Sequence, residues 1–151
     1  MRKPLNQMKV QFPSKSANES FARAVVAAFV AQLDPAVDEL ADIRTAVSEA
    51  VTNAIVHAYP DRIGDIILQM KLYASGRVVI KIRDRGCGIP DIPKAMEPLF
   101  TTGGEDRSGL GFSVMESFSD RVRVSSKVGR GTTVTLEKYI LLRDGQADAG
   151  E

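Results

Sequence analysis

Glu49-Ala50-Val51-Thr52-Asn53-Ala54-Ile55-Val56-His57 is the stretch from which the rest of the chain is read. Glu49, Asn53 and His57 stand at i, i+4 and i+8, so on a helix they share one narrow face. Ala50, Val51, Ala54 and Ile55 flank them, which gives the same helix a side to press against a core. A carboxylate, an amide oxygen and an imidazole therefore line up at the edge of a packed region. A carboxylate takes a proton from a hydroxyl, and an amide oxygen ligates a hard cation such as Mg²⁺. A polar stripe is also what any amphipathic helix turns toward water. The flanking chain has to decide between the two.

At 151 residues the chain has the length of one domain, with 44% hydrophobic and 26% charged residues, an ordinary soluble composition. A net charge of +1 gives no bulk attraction for nucleic acid or a membrane surface. The one cysteine, Cys87, excludes an internal disulfide and fits a reducing, cytoplasmic setting. With one histidine and one cysteine, a multi-histidine or thiolate-rich zinc site is excluded as well. The start, Met-Arg-Lys-Pro-Leu-Asn-Gln, has no apolar core of a signal peptide, and no apolar run is long enough to span a bilayer.

Outward from the opening stretch, Met8, Val10 and Phe12 alternate with Lys9 and Gln11, a strand pattern closed by Pro13. Ser16-Ala-Asn-Glu19 has the form of a capping box, and Phe21, Val25, Ala28 and Phe29 recur at helical spacing, which predicts a helix to about Leu33. Asp34-Pro35 reads as an N-cap with proline at the first helical position. The helix it opens carries Leu40, Ile43, Val47, Ala50, Val51 and Ala54 inward and stops at Tyr59-Pro60. Two strand patterns, Asp65 to Tyr73 and Arg77 to Arg85, are joined by Ala74-Ser75-Gly76 as a hairpin. From Gly86 to Gly111 glycine and proline dominate, with room for one helical turn near Ile92 to Met96. A loop this long in a compact domain is disordered or a functional lid. Gly109 to Phe118 reads as a helix, and Val122-Val124 and Thr132 to Lys138 as strands. The expected organisation is a single domain over residues 1–140 with a frayed tail over 141–151. Without regular β-α-β alternation, the helices must cover one face of a mixed, mostly antiparallel sheet. The expected fold class is α/β, a two-layer α/β sandwich.

Two glycine clusters add chemistry. Asp84-Arg-Gly-Cys-Gly-Ile89 closes the third strand; Gly86 and Gly88 let the backbone turn and let a flat ligand approach. Asp84 at the strand end can accept from an exocyclic amine, which would select adenine, and it can equally be an ordinary turn aspartate. Ser108-Gly-Leu-Gly111 precedes an apolar helix, where backbone N–H groups favour an anion. It is neither a Walker loop nor a dinucleotide turn.

The order of the pieces is more specific than any one of them: Glu-x-x-x-Asn on a helix, Asp-x-Gly-x-Gly at a strand end, a loop closing on Gly-Leu-Gly, then Gly-x-Gly-Thr132. That order resembles the Bergerat ATP-binding fold shared by gyrase, the Hsp90 chaperones, histidine kinases and MutL, over residues 36–138. Within it, the chain resembles the small anti-sigma-factor serine kinases, its sporulation members above all. The match is carried by Asn18-Glu-Ser-Phe-Ala-Arg23, Ala31-Gln-Leu-Asp-Pro35, Ser48-Glu-Ala-Val-Thr-Asn-Ala-Ile55, Pro98-Leu-Phe-Thr-Thr102 and Arg107-Ser-Gly-Leu-Gly-Phe-Ser-Val-Met-Glu116.

The resemblance implies ATP or ADP with Mg²⁺ as ligands. Asn53 would coordinate the Mg²⁺ that bridges the phosphates, and Glu49 would be general base for a serine hydroxyl. Asp84 would bind the adenine amine, with Gly86 and Gly88 giving room and Thr132 supporting the contact through water. Residues 98–108 would be a lid; Thr101, Thr102, Ser108, Gly109, Leu110 and Gly111 would hold the phosphates, and Arg107 would meet the γ-phosphate. His57 stays open between the phosphates and a structural helix end. Asn18, Glu19 and Arg23 would lie on the surface that holds a sporulation sigma factor (sigma F), bound by a kinase homodimer; Glu19 and Arg23 also fit an ordinary i,i+4 pair. A small antagonist protein would be phosphorylated on serine, and neither nucleic acid nor membrane would be bound directly. Other readings are a non-catalytic, nucleotide-dependent sigma-binding module, a switch kinase of the general-stress type, and the catalytic half of a histidine kinase. The last is weakened because no histidine-bearing helix precedes Asp34.

Overall fold

The computed structural model describes residues 3–97 and 111–142. Strand β1 (Asn6–Pro13) leads into helix α1 (Ala17–Val30), which tightens into a 3-10 turn at Ala31–Leu33. Helix α2 (Val37–Asn53) runs on without a break into a π-helical segment, Ala54–Ala58. The hairpin β2 (Asp65–Leu72) and β3 (Arg77–Asp84) follows, then the short helix α3 (Ile92–Ala95), helix α4 (Gly111–Ser117) and strands β4 (Arg121–Lys127) and β5 (Gly131–Tyr139). The strands form one sheet in the order β1-β2-β3-β5-β4, and each of its pairings is antiparallel.

The period-two pattern places alternate residues on one face. Ile66, Leu68, Met70 and Leu72 of β2 and Val78, Ile80 and Ile82 of β3 are buried together with Val26, Val30, Val47 and Val51 of the helices. Each such side chain contributes about 1.5–3 kcal/mol on burial. Lys81 and Arg83 alternate to the opposite face and are exposed. The molecule is thus the two-layer α/β sandwich expected from the sequence, its helices packed on one side of the sheet. Register brings Asp84 at the end of β3 opposite Thr132 near the start of β5.

Several local readings are corrected. Helix α1 buries Ala22, Val26, Phe29 and Val30, while Phe21 is 55% exposed and Ala28 faces water. The helix is apolar nearly all round, so periodicity could not fix which stripe turns inward. Ser16 is the N-cap of α1 without a side-chain cap bond, its backbone lying in the helical region at φ −58° and ψ −30°, and the reciprocal half of the box is missing because the Glu19 carboxylate is taken by Arg23 and by Ser48 of α2. Asp34 does not cap α2. It sits in the left-handed region at φ 50°, which aspartate tolerates, and closes the 3-10 turn. Ala36 is the N-cap, and its N–H donates to Glu39 Oε1 at 2.8 Å. The lid expected over 98–108 and the expected tail from residue 143 on lie outside the described residues.

Candidate functional site

Between α2 with its π segment and the ends of β3 and β5 lies a cavity of about 440 Å³. One wall is Ala50, Asn53, Ala54 and His57; the opposite wall is Ile82, Asp84, Thr132 and Val134. The loop after β3 and the start of α4, with Gly111 and Phe112, close the ends. Glu49 and Asn53 stand one turn apart in α2, and His57 follows one turn later. The wider π segment begins right after Asn53 and carries His57 in its turn. Asn53 and His57 both line the cavity; Glu49, one turn earlier and partly exposed, does not.

The loop after β3 is held from three sides. Cys87 N–H donates to Ala58 O at 3.0 Å, and Gly129 N–H donates to Cys87 O at 2.8 Å. Ile89 N–H donates to Ser126 Oγ at 2.8 Å. A Cβ on Gly86 would sit 2.1 Å from Ala58 O, so glycine there is needed for close packing of the π segment, not for ligand room. Gly86 is buried outside the cavity lining, which corrects its expected place in the pocket. Gly88 does line it, at φ 79°.

Asp84 is buried, 6% exposed. Its Oδ1 accepts from Gly86 N–H at 3.0 Å and from Thr132 N–H at 3.2 Å. Burial pushes its carboxyl above the ordinary value, and those two N–H groups pull it partly back. Both bonds fall on one oxygen, so Oδ2 remains to accept from a ligand. At the other end, a Cβ on Gly111 would lie 3.0 Å from Asn53 Nδ2 and 3.3 Å from Oδ1, which places the start of α4 against the Asn53 amide.

Five predicted residues from four separated stretches thus meet in one cavity: Asn53, Asp84, Gly88, Gly111 and Thr132. Thr101, Thr102, Arg107, Ser108, Gly109 and Leu110 lie outside the described residues. Asn18, Glu19 and Arg23 are on α1, away from the cavity lining; Arg23 Nε lies 2.6 Å from Glu19 Oε2 as an ion pair without hydrogen-bond alignment. Asn18 Nδ2 donates to Pro13 O at 3.0 Å. Sequence reasoning passed over Cys87, which lines the cavity beside Ile89, Pro90 and Asp91. Its place between two glycines was the only signal.

Among the described residues no cluster of three or more His, Cys, Asp or Glu side chains could hold a metal alone. The Asn53 amide oxygen suits a Mg²⁺ that keeps waters and takes its other ligands from phosphates. No helix of the described residues is long and apolar enough to cross a membrane.

The model of the histidine kinase-like ATPase domain matches residues 12–138. Anti-sigma F factors align along almost their whole length. That of Thermoanaerobacter sp. (strain X514) is 56% identical, covering 89% of this chain and 94% of its own. That of Geobacillus kaustophilus is 55% identical, covering 89% and 93%. Among solved structures, the RsbU and RsbW domains of a Mycobacterium tuberculosis protein superpose with a TM-score of 0.66 at 23% identity, over 89% of this chain and 32% of that one. The histidine kinase ShkA, solved with AMPPNP, gives 0.57 at 22% identity, over 71% of this chain and 23% of that one. These last two share the fold. The chain belongs to the histidine kinase-like ATPases and, within them, to the anti-sigma F factor family.

Proposed function

We propose that this chain is an ATP-dependent protein serine kinase that also sequesters a sporulation sigma factor. The observation that carries the reading is the convergence of Asn53, Asp84, Gly88, Gly111 and Thr132 on one cavity. Asp84 Oδ2 accepts from the adenine amine, and Asn53 holds the Mg²⁺ that offsets phosphate charge. Glu49 takes the proton of a serine hydroxyl as that oxygen attacks the γ-phosphorus; the bond to the β-phosphate oxygen breaks and ADP leaves. A base serving a protein substrate has to be reachable from outside, which suits the partly exposed position of Glu49. Arg107, Thr101, Thr102, Ser108, Gly109 and Leu110 keep the roles at the phosphates that the resemblance implies.

The serine belongs to an anti-anti-sigma antagonist. Asn18, Glu19 and Arg23 on α1 bind the sigma factor, sigma F, in a cytoplasmic homodimer, and ATP or ADP biases which partner is held. A single domain over residues 1–140 carries these activities.

Because Glu49 does not line the cavity, a nucleotide-dependent binding module without phosphoryl transfer is the second reading. Labelled γ-phosphate decides. It should appear on a serine of the antagonist, and Glu49→Ala should slow its appearance by about 10²–10⁴-fold while ATP still binds. Wild-type protein that binds ATP and sigma yet never transfers phosphate leaves the module reading.

A further inference from the structure

Strands β2 and β3 pair as far as Ile66 with Asp84, and the same register would make Asp65 and Arg85 the next pair. The Tyr59 hydroxyl stands there instead. It donates to Asp65 O at 2.7 Å and accepts from Arg85 N–H at 2.6 Å, in place of a direct backbone bond. Tyr59 is buried at the exit of the π segment and is not part of the cavity lining. Burial pushes its phenol above the ordinary value, the Arg85 N–H pulls it partly back, and the Asp84 charge adds to the rise. The hydroxyl therefore keeps its proton at neutral pH, and with one proton and one lone pair it satisfies both backbone groups. Its ring has a fitted seat. A Cβ on Gly64 would come within 2.3 Å of the ring, and the Arg62 guanidinium carbon lies 5.1 Å from the ring centroid.

The bond to Arg85 matters because Arg85 N–H and Asp84 C=O belong to one planar peptide unit. Tyr59 holds that unit on its N–H side. On its C=O side the unit lies against β5, where a Cβ on Gly131 would be 2.1 Å from Asp84 O. A peptide held at both edges places Gly86 N–H where Asp84 Oδ1 accepts from it at 3.0 Å. With Thr132 N–H on the same oxygen at 3.2 Å, Oδ2 is left for the cavity. We infer that Tyr59 is a positioning residue of the base-binding end: its hydroxyl, inserted between β2 and β3, fixes the peptide behind Asp84 and so aims Oδ2 at the ligand. Given the adenine-nucleotide reading above, on which this rests, nucleotide affinity is set in part by a residue that never touches the base. Without the hydroxyl, Arg85 N–H and Asp65 O lose their partner. The strand end can then close into a direct ladder bond, which rotates the peptide and the carboxylate with it.

The test is a double-mutant cycle on Mg-ATP affinity, measured with the full chain. Tyr59→Phe keeps the ring in its seat and removes the hydroxyl alone. Affinity should fall by about fivefold, within the range that one neutral hydrogen bond covers. In the Asp84→Asn background, where the base contact is already lost, the same change should alter affinity by less than about twofold. Gly64→Ala displaces the same ring by crowding it and repeats the cycle, should the phenylalanine variant fold poorly. Its loss of affinity should likewise vanish once Asp84 is replaced. If Tyr59 only supports the fold, its replacement lowers affinity by the same factor with or without Asp84. That result, or an unchanged affinity in the Tyr59→Phe protein, overturns the inference. Parent protein that binds no Mg-ATP overturns the adenine-nucleotide reading instead.

Discussion

Asp84 shows how much a single residue carries. Its folded pKa is raised because burial penalises the charge more than the Gly86 and Thr132 N–H groups stabilise it. The folded state therefore holds this proton more tightly than the unfolded chain does. The stability tied to this group is full below the unfolded value, falls as pH climbs through the folded value, and is level above it. Asp84→Asn keeps an oxygen for both N–H donors and removes the charge. Its urea midpoint at neutral pH should equal or exceed that of the parent, and the difference between the two should shrink toward acid pH. The same change swaps an acceptor for a donor at the cavity, so ATP affinity should fall by about 10–100-fold, as for a hydrogen bond to a charged group. Stability kept with affinity lost is the expected pair of results; unchanged affinity would remove Asp84 from the site. Asp84 was legible as a strand-end acceptor from the alternation of β3 and the glycines after it. That one of its oxygens takes both backbone donors depends on β5 lying beside β3, and no local pattern encodes that.

Elements differ in how far the sequence defines them. The β2-β3 hairpin was legible because a two-residue period and a glycine turn leave one register. The inward face of α1 was not, because Phe21 and Ala28 are as apolar as the residues buried beneath them. The π segment was not legible either: nothing local in Ala54 to Ala58 separates a π turn from an α turn, and its contact with the loop after β3, where Cys87 N–H donates to Ala58 O, is long-range. The turn between β4 and β5 offers a test of packing against conformation. Gly131 has φ 126°, and a Cβ there would lie 2.1 Å from Asp84 O; Gly129 has φ 81° and nothing within 4 Å. Gly129→Ala should cost about 1 kcal/mol for the left-handed backbone alone. Gly131→Ala should cost about 3 kcal/mol or more, since neither backbone can yield without displacing Asp84, and ATP binding should weaken with it. Urea unfolding of the two variants measures the gap; equal costs would mean that the β3-β5 approach is not tight.

At the scale of the whole molecule, the fold class followed from the order of elements, but the strand order did not. β1 reaches β2 from across two helices, and β5 enters between β3 and β4. That placement makes the site a bridge. The cavity takes residues from α2 and α4 on the helical layer and from β3 and β5 on the sheet. A ligand in it contacts both layers and has no comparable partner in the unfolded chain. At one hundred times its dissociation constant such a ligand adds about 2.7 kcal/mol. In a domain of this size each kcal/mol moves the melting temperature by about 2–4 °C, so saturating Mg-ATP should raise Tm by about 5–10 °C. With Asn53→Ala, or with ATP and a chelator, the rise should be smaller, because phosphate charge then meets the wall without its cation. Amide hydrogen exchange separates the two layers. A nucleotide that touched the sheet alone would protect β3 and β5 amides from exchange but leave α2 and the π segment unchanged. Bridging requires that protection rise in both layers together, and a rise confined to one layer would mean the cavity is not the binding site.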